Sequence, residues 1–377
     1  MRLFSKKDDA SSGIIGIDIG AGGIKMVELS STNGRLKLNT YGYAQKSSHV
    51  DGSLLDSPQK SAQLINDIIK KANMKAEQVN AALPSQHVFH AIVTIPQPRS
   101  KKDDIKPLIE AQVKKLLPKP IEDMILDSTI IDKHLLPKEE VEKNVKGDVK
   151  KDSDLLDTKE QKHIRVLVSG APKDLVQKYI DIFKLSKLKL IALETESFAL
   201  IRSLIGKDMS RIMIVDIGYE RTNISIVQGG IPFLHRSIKS GGINVTQAIA
   251  KQMSVSPEQA EQIKFDLAIS AQKEQQIPSV IREAVMPILH EIKYALELYG
   301  QQDFHEYSDV EKIILTGGSS FLPYLNSFLT EALNKSVYIG NPWARIAVPE
   351  GISDMLNEIG PRMSVCVGLA MKSGIEK

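Results

Sequence analysis

The chain has 377 residues, which is too long for one ordinary hydrophobic core and predicts two or more domains. Its hydrophobic fraction of 42% and charged fraction of 25% are typical of a soluble globular protein, and its 49 basic residues nearly balance its 46 acidic ones, which argues against a nucleic-acid-binding protein. The single cysteine, Cys366, excludes an intramolecular disulfide and a cysteine-based zinc site, as expected of a reducing cytoplasm.

The chain contains no run of about 18 apolar residues, so we expect no membrane-spanning helix. Residues 1–12 begin with MRLFSKKDDA and lack the apolar stretch of a secretory signal. We therefore expect a disordered tail at 1–12.

Residues 13–30 read GIIGIDIGAGGIKMVELS and predict a β-hairpin, with one strand up to Ile19, a glycine turn, and a second strand from Ile24 to Leu29. The dipeptide Asn33-Gly34 predicts a tight turn into a third strand, RLKLNTYGYA. Ser57-Pro58 is typical of a helix start, because serine caps helices and proline fits the first helical position. A short buried strand, VNAALP, follows this helix.

The order of elements changes at residue 87. A strand, HVFHAIVTIP, precedes a helix in KKDDIKPLIEAQVKKLL, two strands, MILDSTIID and IRVLVSGA, and a second helix, KDLVQKYIDIFKL. This β-α-β-β-α order predicts a small α+β subdomain at 87–186. Within it, Lys133–His163 carries eight lysines and eight acidic residues and predicts a solvated charged loop. The predicted buried side of the first helix consists of Ile105, Leu108, Ile109, Val113 and Leu116.

The second half of the chain repeats the opening pattern. After a strand and helix in LKLIALETESFALIRSLIG, the segment RIMIVDIGYERTNISIVQGG again places Asp-Ile-Gly between two apolar runs. Asp18 and Asp216 are 198 positions apart (216 − 18), which indicates a repeat of half-molecules. Three helices are predicted after this segment: Val245–Met253, Glu258–Phe265 behind a Ser256-Pro257 cap, and Ser279–Tyr299 with a kink at Pro287. The segment EKIILTGGSSFLPYLNSFLTEAL then predicts a strand, a glycine turn and a helix. A strand, SVYIG, and a final helix at Met363–Met371 follow.

The two Asp-Ile-Gly hairpins and the Gly317-Gly318 turn are the informative motifs. Backbone N–H groups of glycine turns can converge on phosphate oxygens, and glycine allows a close approach. A bare carboxylate would repel phosphate, so Asp18 and Asp216 predict a hydrated divalent cation, best Mg²⁺, between the acids and the phosphates. One such hairpin alone is usually an ordinary turn, so the prediction depends on the combination. Two other phosphate motifs are absent, because Ile24 precedes Lys25 and Lys25 stands where G-x-G-x-x-G needs its third glycine.

These motifs resemble those of the actin-like ATPase superfamily. GIDIGAGGIKMVEL is similar to its first phosphate motif, VDIGYERTNISIV to its second, and ILTGGSSFLPYL to its adenosine motif. Within the superfamily, GGINVTQAIAKQMSVSPEQAEQIK, LPSQHVFHAIVTIP and NPWARI…VCVGLAMK resemble the type IV pilus assembly protein PilM family, which is related to the cell-division protein FtsA. The resemblance extends from Gly13 to Lys372.

The resemblance implies an α/β fold of the actin-like (ribonuclease H-like) type, with two domains and an inserted α+β subdomain. It places the first actin-like domain at 13–86 and 187–210, together with the C-terminal helix 361–377. The inserted FtsA/PilM-type subdomain is expected at 87–186 and the second actin-like domain at 211–360.

The resemblance also implies roles for individual residues. Asp18 and Asp216 match the metal-binding aspartates, and Glu196 matches the acid that orients the attacking water in chaperone relatives. The positions that match nucleotide-binding residues are Gly20, Ala21, Gly22, Gly23, Lys25, Gly218, Thr222, Asn223, Glu261, Lys264, Gly317 and Gly318.

Four of these assignments have a purely structural alternative. Lys25 could be an outward strand residue, and Gly317-Gly318 could be an ordinary turn. Glu261 and Lys264 could be a surface ion pair on one helix. Glu196 could face solvent at a helix start, where an acidic residue is favoured in any case.

Both phosphate loops depart from the family pattern. Ala21, Gly22 and Gly23 offer no hydroxyl where PilM-type first loops carry serine or threonine, and Tyr219 and Glu220 are bulkier than the usual residues of the second loop. Fewer fixed dipoles would then face the charge that develops during hydrolysis. The sequence therefore predicts ATP binding with weak or slow hydrolysis.

The resemblance implies a cytoplasmic nucleotide-binding adaptor at the inner face of the inner membrane, with ATP and Mg²⁺ as cofactors. Its implied partner is a PilN-like inner-membrane protein, whose cytoplasmic N-terminal peptide is expected in a groove of the first domain near the inserted subdomain. Pilus motor ATPases are further implied partners. Two alternatives stay open: a small-molecule kinase of the same superfamily, although no acid of the first domain can be assigned as its base, and an FtsA-like filament protein, although MKSGIEK is not an amphipathic membrane helix.

Overall fold

The structure is a computed structural model that describes residues 13–46, 52–97, 104–131, 163–270, 276–301 and 309–375. The predicted tail 1–12 and residues 133–162 of the predicted charged loop lie outside the described residues. The strands are β1 (Ile14–Gly20), β2 (Gly23–Thr32), β3 (Arg35–Gln45), β4 (Gln78–Leu83), β5 (Phe89–Pro96), β6 (Met124–Ile130), β7 (His163–Pro172), β8 (Lys189–Thr195), β9 (Ile212–Ile217), β10 (Thr222–Gln228), β11 (Ile231–Ile238), β12 (Lys312–Thr316) and β13 (Ser336–Ile339).

The helices alternate with these strands along the chain. They are α1 (Pro58–Lys71), α2 (Lys106–Val113), α3 (Lys173–Leu185), α4 (Glu196–Leu200), α5 (Gly242–Met253), α6 (Pro257–Ser270), α7 (Ser279–Gly300), α8 (Leu325–Leu333) and α9 (Ser353–Ile375). A π-helical stretch, Ile201–Ile205, continues α4. In the part of the chain that the structure describes, no helix is both long and apolar enough to span a bilayer.

Two five-stranded sheets share one topology. The first has the order β3-β2-β1-β4-β8, in which β1, β2 and β3 pair antiparallel while β1, β4 and β8 pair parallel. The second has the order β11-β10-β9-β12-β13 with the same two antiparallel and two parallel pairings. This correspondence confirms the repeat of half-molecules predicted from the two Asp-Ile-Gly segments.

The first sheet lies between two apolar layers. On one side, buried residues of α1 and α3 pack against β1, β2 and β4. On the other side, α9 packs against β2 and β3, and it crosses β1 so closely that a Cβ on Gly16 would lie 1.9 Å from the carbonyl oxygen of Cys366. Because both faces of β1 and β2 are covered, these strands read as nearly continuous apolar runs.

The second sheet is also covered on both sides. Helices α5, α7 and α8 bury their apolar faces on one side of it. On the other side, α4, the π-helical stretch and α9 pack against β9 and β12. Helices α4 and α9 therefore lie between the two halves, and a Cβ on Gly368 would lie 1.9 Å from the carbonyl oxygen of Ala199.

The third sheet, β5-β7-β6, is antiparallel and small. Helix α2 packs on it through Ile109 and Val113, whereas Leu108 and Leu116, which were predicted on the same buried side, are 42% and 55% exposed. The prediction of five buried positions was wrong for these two, because α2 spans only eight residues and covers the sheet with one narrow stripe. The helix after β7, α3, packs on the core of the first sheet.

Three other elements differ from the sequence prediction. Strand β11 was not predicted, and it extends the second sheet by pairing with β10. Helix α9 begins ten residues before the predicted Met363, and Pro361 lies inside it. Ser57 precedes α1 as predicted but its side chain makes no cap hydrogen bond, whereas Ser256 Oγ accepts the N–H of Gln259 at 3.2 Å and caps α6.

Candidate functional site

The first phosphate-loop motif forms the tip of the β1–β2 hairpin. The strand register places Asp18 directly opposite Lys25, and Lys25 Nζ donates a hydrogen bond to Asp18 Oδ2 at 2.7 Å. Burial alone would lower the pKa of Lys25, but the neighbouring Asp18 carboxylate raises it, so the ammonium stays charged. A Cβ on Gly20 would lie 3.4 Å from Lys25 Nζ. Lys25 therefore points along the loop and is not an outward strand residue.

The glycines of this loop serve two different purposes. Gly23 has φ +141°, and a Cβ on it would lie 2.1 Å from the carbonyl oxygen of Ala44, so only glycine fits there. A Cβ on Gly22 would instead lie 2.8 Å from Cβ of Tyr219, which belongs to the second loop. The two phosphate-loop motifs, far apart in sequence, thus face each other in direct contact.

The second loop satisfies much of its own hydrogen bonding. Gly218 donates its N–H to the carbonyl oxygen of Arg221 at 2.9 Å, and the Thr222 hydroxyl donates to the carbonyl oxygen of Ser240 at 2.7 Å. The Gly218 carbonyl accepts the N–H of Gly242, the first residue of α5, at 2.9 Å. The Thr222 hydroxyl proton is therefore used within the loop, and these bonds hold the loop against α5.

The Gly317-Gly318 turn lies against the second aspartate. In the parallel pairing of β9 and β12, Thr316 is opposite Asp216. Gly317 has φ +87°, and a Cβ on it would lie 2.4 Å from Asp216 Oδ1. A side chain at position 317 would displace the Asp216 carboxylate, so the turn is more than an ordinary strand-to-helix connection.

Glu196 begins α4, and its carboxylate is bonded to both halves of the chain. Its Oε2 accepts the N–H of Ser85 at 3.0 Å and the Nδ2 of Asn223 at 3.1 Å. Burial raises the pKa of Glu196 to about 8, and the charges of Asp18 and Asp216 add to this rise. The acid therefore faces the two aspartates instead of solvent, and its surroundings favour the neutral form more than water would.

Asp216 belongs to the same charge cluster. Burial raises its pKa to about 6, Lys25 opposes the rise, and Asp18 adds to it. The described residues contain no group of three or more His, Cys, Asp or Glu that could hold a metal ion directly. Three carboxyls beside a single ammonium suit a divalent cation that keeps its waters and meets the acids through them.

The predicted E-x-x-K pair is built into the wall of the same cleft. Lys264 Nζ donates to Glu261 Oε2 at 2.7 Å, to Thr246 Oγ1 at 2.9 Å and to the Gly242 carbonyl oxygen at 3.3 Å. The Lys264 side chain is 12% exposed, and burial lowers its pKa. A Cβ on Gly242 would lie 2.3 Å from Ser319 Oγ, so α5 also packs on the Gly317-Gly318 turn. The pair is therefore more than a surface ion pair.

Sequence reasoning missed a row of hydroxyls that leads away from Glu196. Ser85 Oγ lies 3.5 Å from Ser197 Oγ, which lies 3.1 Å from Ser225 Oγ. Ser225 Oγ lies 3.1 Å from Nδ1 of His235 on β11. The one signal available in the sequence was the place of Ser85 just after β4, because the ends of parallel strands meet at one sheet edge.

The two five-stranded sheets share one topology, and a hairpin loop from each of them lies at a common cleft. This arrangement defines the actin-like fold. Residues 16–153 and 147–374 match the model of the family described as type IV pilus assembly protein PilM, and the chain belongs to that family. The structural comparison confirms the predicted α/β actin-like fold.

Two solved structures illustrate the likeness. The structure described as a PilM-PilN type IV pilus biogenesis complex is 24% identical, covers 97% of this chain and 99% of its own, and superposes with a TM-score of 0.76. The ethanolamine utilization protein EutJ of Carboxydothermus hydrogenoformans is 15% identical, with coverage of 94% and 88% and a TM-score of 0.52.

Proposed function

We propose that this chain binds Mg-ATP between its two halves and acts as a cytoplasmic adaptor of the type IV pilus assembly platform. The observation that carries the proposal is the contact of Gly22 with Tyr219, which brings both phosphate-loop motifs to one cluster of Asp18, Asp216 and Glu196. Membership of the PilM family supports the biological setting.

Each part of the cleft has a role in this proposal. Asp18 and Asp216 hold the waters of Mg²⁺, which neutralises phosphate charge when it is bound. Lys25 and the backbone of residues 20–23 bind the phosphates. Gly218, Thr222 and Asn223 hold the second loop in place beside them through their own hydrogen bonds. Glu196 orients a water molecule, and the adenosine is bound by Glu261, Lys264, Gly317 and Gly318. The first loop supplies no hydroxyl, so hydrolysis is slow compared with binding.

The proposed partner is a PilN-like membrane protein, because the chain belongs to the PilM family and resembles a solved PilM-PilN complex over nearly the full length of both chains. A groove of about 600 Å³ lies between α3 and β8 and is lined mainly by apolar residues, among them Ile180 and Ile191. Strand β8 is an edge strand of the first sheet in the described part of the chain. An extended N-terminal peptide of the partner would add there as a further strand and place its apolar side chains in the groove. This docking would hold the protein at the inner face of the inner membrane.

The nucleotide site is tested by titration calorimetry of ATP with and without Mg²⁺. Asp18→Ala should weaken Mg-ATP binding about 10- to 100-fold, because residues that orient metal-bound waters act on affinity at this scale. It should change metal-free ATP binding much less. Asp67→Ala, an exposed aspartate on α1, is the matched control. Equal losses with and without the metal would remove the proposed role of Asp18.

The partner site is tested by a pull-down with a synthetic peptide of the PilN-like protein's cytoplasmic N-terminus. Ile180→Glu should abolish capture, because it places a charge in the apolar groove, whereas Met253→Glu, at an exposed apolar residue of α5, should leave it intact. Capture should also differ between protein with and without Mg-ATP. Binding that ignores Ile180→Glu would place the peptide elsewhere.

A further inference from the structure

Arg362 lies in the cleft and has no role in the site described above. It follows Pro361 in α9, and the Pro361 carbonyl oxygen accepts two hydrogen bonds, from the N–H of Gly317 and the hydroxyl of Thr316, both at 3.0 Å. A Cβ on Gly318 would lie 3.4 Å from Arg362 Nε. The backbone that carries Arg362 is therefore fixed beside the Gly317-Gly318 turn.

The guanidinium also reaches the first sheet. Its Cζ lies 5.4 Å from the ring centroid of Tyr43 on β3, within the range of a cation–π interaction. Tyr43 is directly opposite Lys25 in the β2–β3 pairing, so both side chains lie on the same face of the sheet. Arg362 thus stands between the phosphate-loop hairpin of one half and the glycine turn of the other.

The charge of Arg362 is not neutralised by the residues around it. None of the ion pairs formed within the described ranges includes Arg362. A second cation, Lys264, is close enough for its pKa, which is lowered chiefly by burial, to be lowered further by the charge of Arg362. Arg362 is half-buried, forms no ion pair with a carboxylate in the part of the chain that the structure describes, and is therefore suited to an anion that arrives from outside.

We propose that Arg362 binds the polyphosphate chain of the nucleotide, and this inference rests on the proposed nucleotide-binding function. The guanidinium supplies from α9 a positive charge over Tyr43, which pairs with Lys25 of the phosphate-loop hairpin. The first loop of that hairpin, Ala21, Gly22 and Gly23, carries no hydroxyl. Its ligand class is a nucleoside diphosphate or triphosphate. Adenosine, which has no phosphate, gains nothing from it.

The test is calorimetric titration of ATP, ADP and adenosine into wild-type protein, Arg362→Gln and Arg362→Lys. Arg362→Gln should weaken ATP at least about tenfold and adenosine less than about twofold, since a charge-assisted hydrogen bond to phosphate is lost. Arg362→Lys should fall between, because it keeps the charge without the planar fork. Arg282→Gln, at an exposed arginine of α7, is the matched control, and unchanged melting of the nucleotide-free variants shows that they fold.

Two results would overturn the inference while leaving the proposed function intact. One is unchanged ATP affinity in Arg362→Gln, and the other is an equal loss for ATP and adenosine, which would place the guanidinium on the nucleoside. If wild-type protein binds no nucleotide at all, the proposed function and this inference fall together.

Discussion

Two adjacent glycines in the turn after β12 have different physical constraints, which makes them a matched pair. At Gly317, alanine would have to adopt φ +87° with its Cβ 2.4 Å from Asp216 Oδ1. At Gly318, a Cβ would only touch the flexible side chain of Arg362 at 3.4 Å. The two glycines therefore differ in their backbone conformation and in their distance from the Asp216 carboxylate.

We expect Gly317→Ala to lower the free energy of unfolding by about 2 kcal/mol or more, from left-handed backbone strain plus the displaced Asp216. Mg-ATP affinity should fall with it. Gly318→Ala should change stability by less than about 0.5 kcal/mol. Urea unfolding and Mg-ATP titration of both variants measure this, and equal effects would contradict the proposed position of Asp216.

At the same scale, sequence spacing predicted which residues the fold brings together better than it predicted their individual contacts. The repeated Asp-Ile-Gly segments identified Asp18 and Asp216, because a motif is a local property of the chain. The orientation of Lys25 depends on the β1–β2 register, and the environment of Glu196 depends on Ser85 and Asn223. Such contacts between distant segments have no local signature, so the alternatives for Lys25 and Glu196 could be resolved only in the folded structure.

At the scale of elements, α9 packs closely against both β1 and α4. The chain's single tryptophan, Trp343, is buried in the same apolar cluster as Met363 and Val367 of α9, so its fluorescence reports on this helix. Gly368→Ala would place a Cβ 1.9 Å from the Ala199 carbonyl oxygen and force α9 away from α4. We expect a loss of about 2 kcal/mol or more, because a close-packed interface cannot absorb the added methyl group.

The control for this variant is Gly300→Ala at the end of α7, where nothing lies within 4 Å of the added Cβ. Alanine there should leave stability unchanged or raise it by up to about 1 kcal/mol. Urea unfolding followed by Trp343 fluorescence compares the two. A Gly368→Ala midpoint at or above that of Gly300→Ala would show that α4 and α9 are not tightly packed.

The element predictions failed where tertiary contacts override local pattern. The sequence predicted the final helix at Met363–Met371, yet α9 begins at Ser353 and continues through Pro361, whose carbonyl oxygen accepts hydrogen bonds from Thr316 and Gly317. Strand β11 contains Pro232 and a polar run at positions 235–237 before Ile238, and these residues hide the alternation typical of a strand. Its hydrogen-bonded pairing with β10 stabilises a strand that its own residue pattern does not indicate.

For the whole molecule, a pair of histidines lies where the small sheet meets the second sheet. The rings of His90 on β5 and His235 on β11 are 6.4 Å apart, and both Nε2 atoms are buried without a hydrogen-bond partner among the described residues. An apolar cluster that includes Leu167 of β7 with Ile231 and Phe233 of β11 joins the same two sheets. Burial lowers the pKa of each histidine to about 4.

The buried histidine pair predicts that the contact between the small sheet and the second sheet weakens in acid. Because each folded-state pKa lies below the unfolded value near 6.5, the unfolded chain binds more protons between about pH 6.5 and 4, and stability falls as pH drops through that window. At pH 5 the loss should be about 2 kcal/mol per histidine relative to pH 7.5. His235→Gln should reduce this pH dependence, whereas His290→Gln, at an exposed histidine of α7, should not. Urea unfolding at both pH values measures the free energy of unfolding of each variant. An equal pH dependence of this free energy in His235→Gln and His290→Gln would contradict the role of His235.

The position of α9 has a consequence for how the protein is made. Asp18 leaves the ribosome 335 residues (353 − 18) before α9 begins, yet α9 supplies one of the two apolar layers around the sheet that carries Asp18. Until α9 is synthesised, β2 and β3 lack the apolar layer that covers one of their faces. The first sheet can therefore reach its fully packed form only after α9 has been made, although its own strands are among the first segments to leave the ribosome.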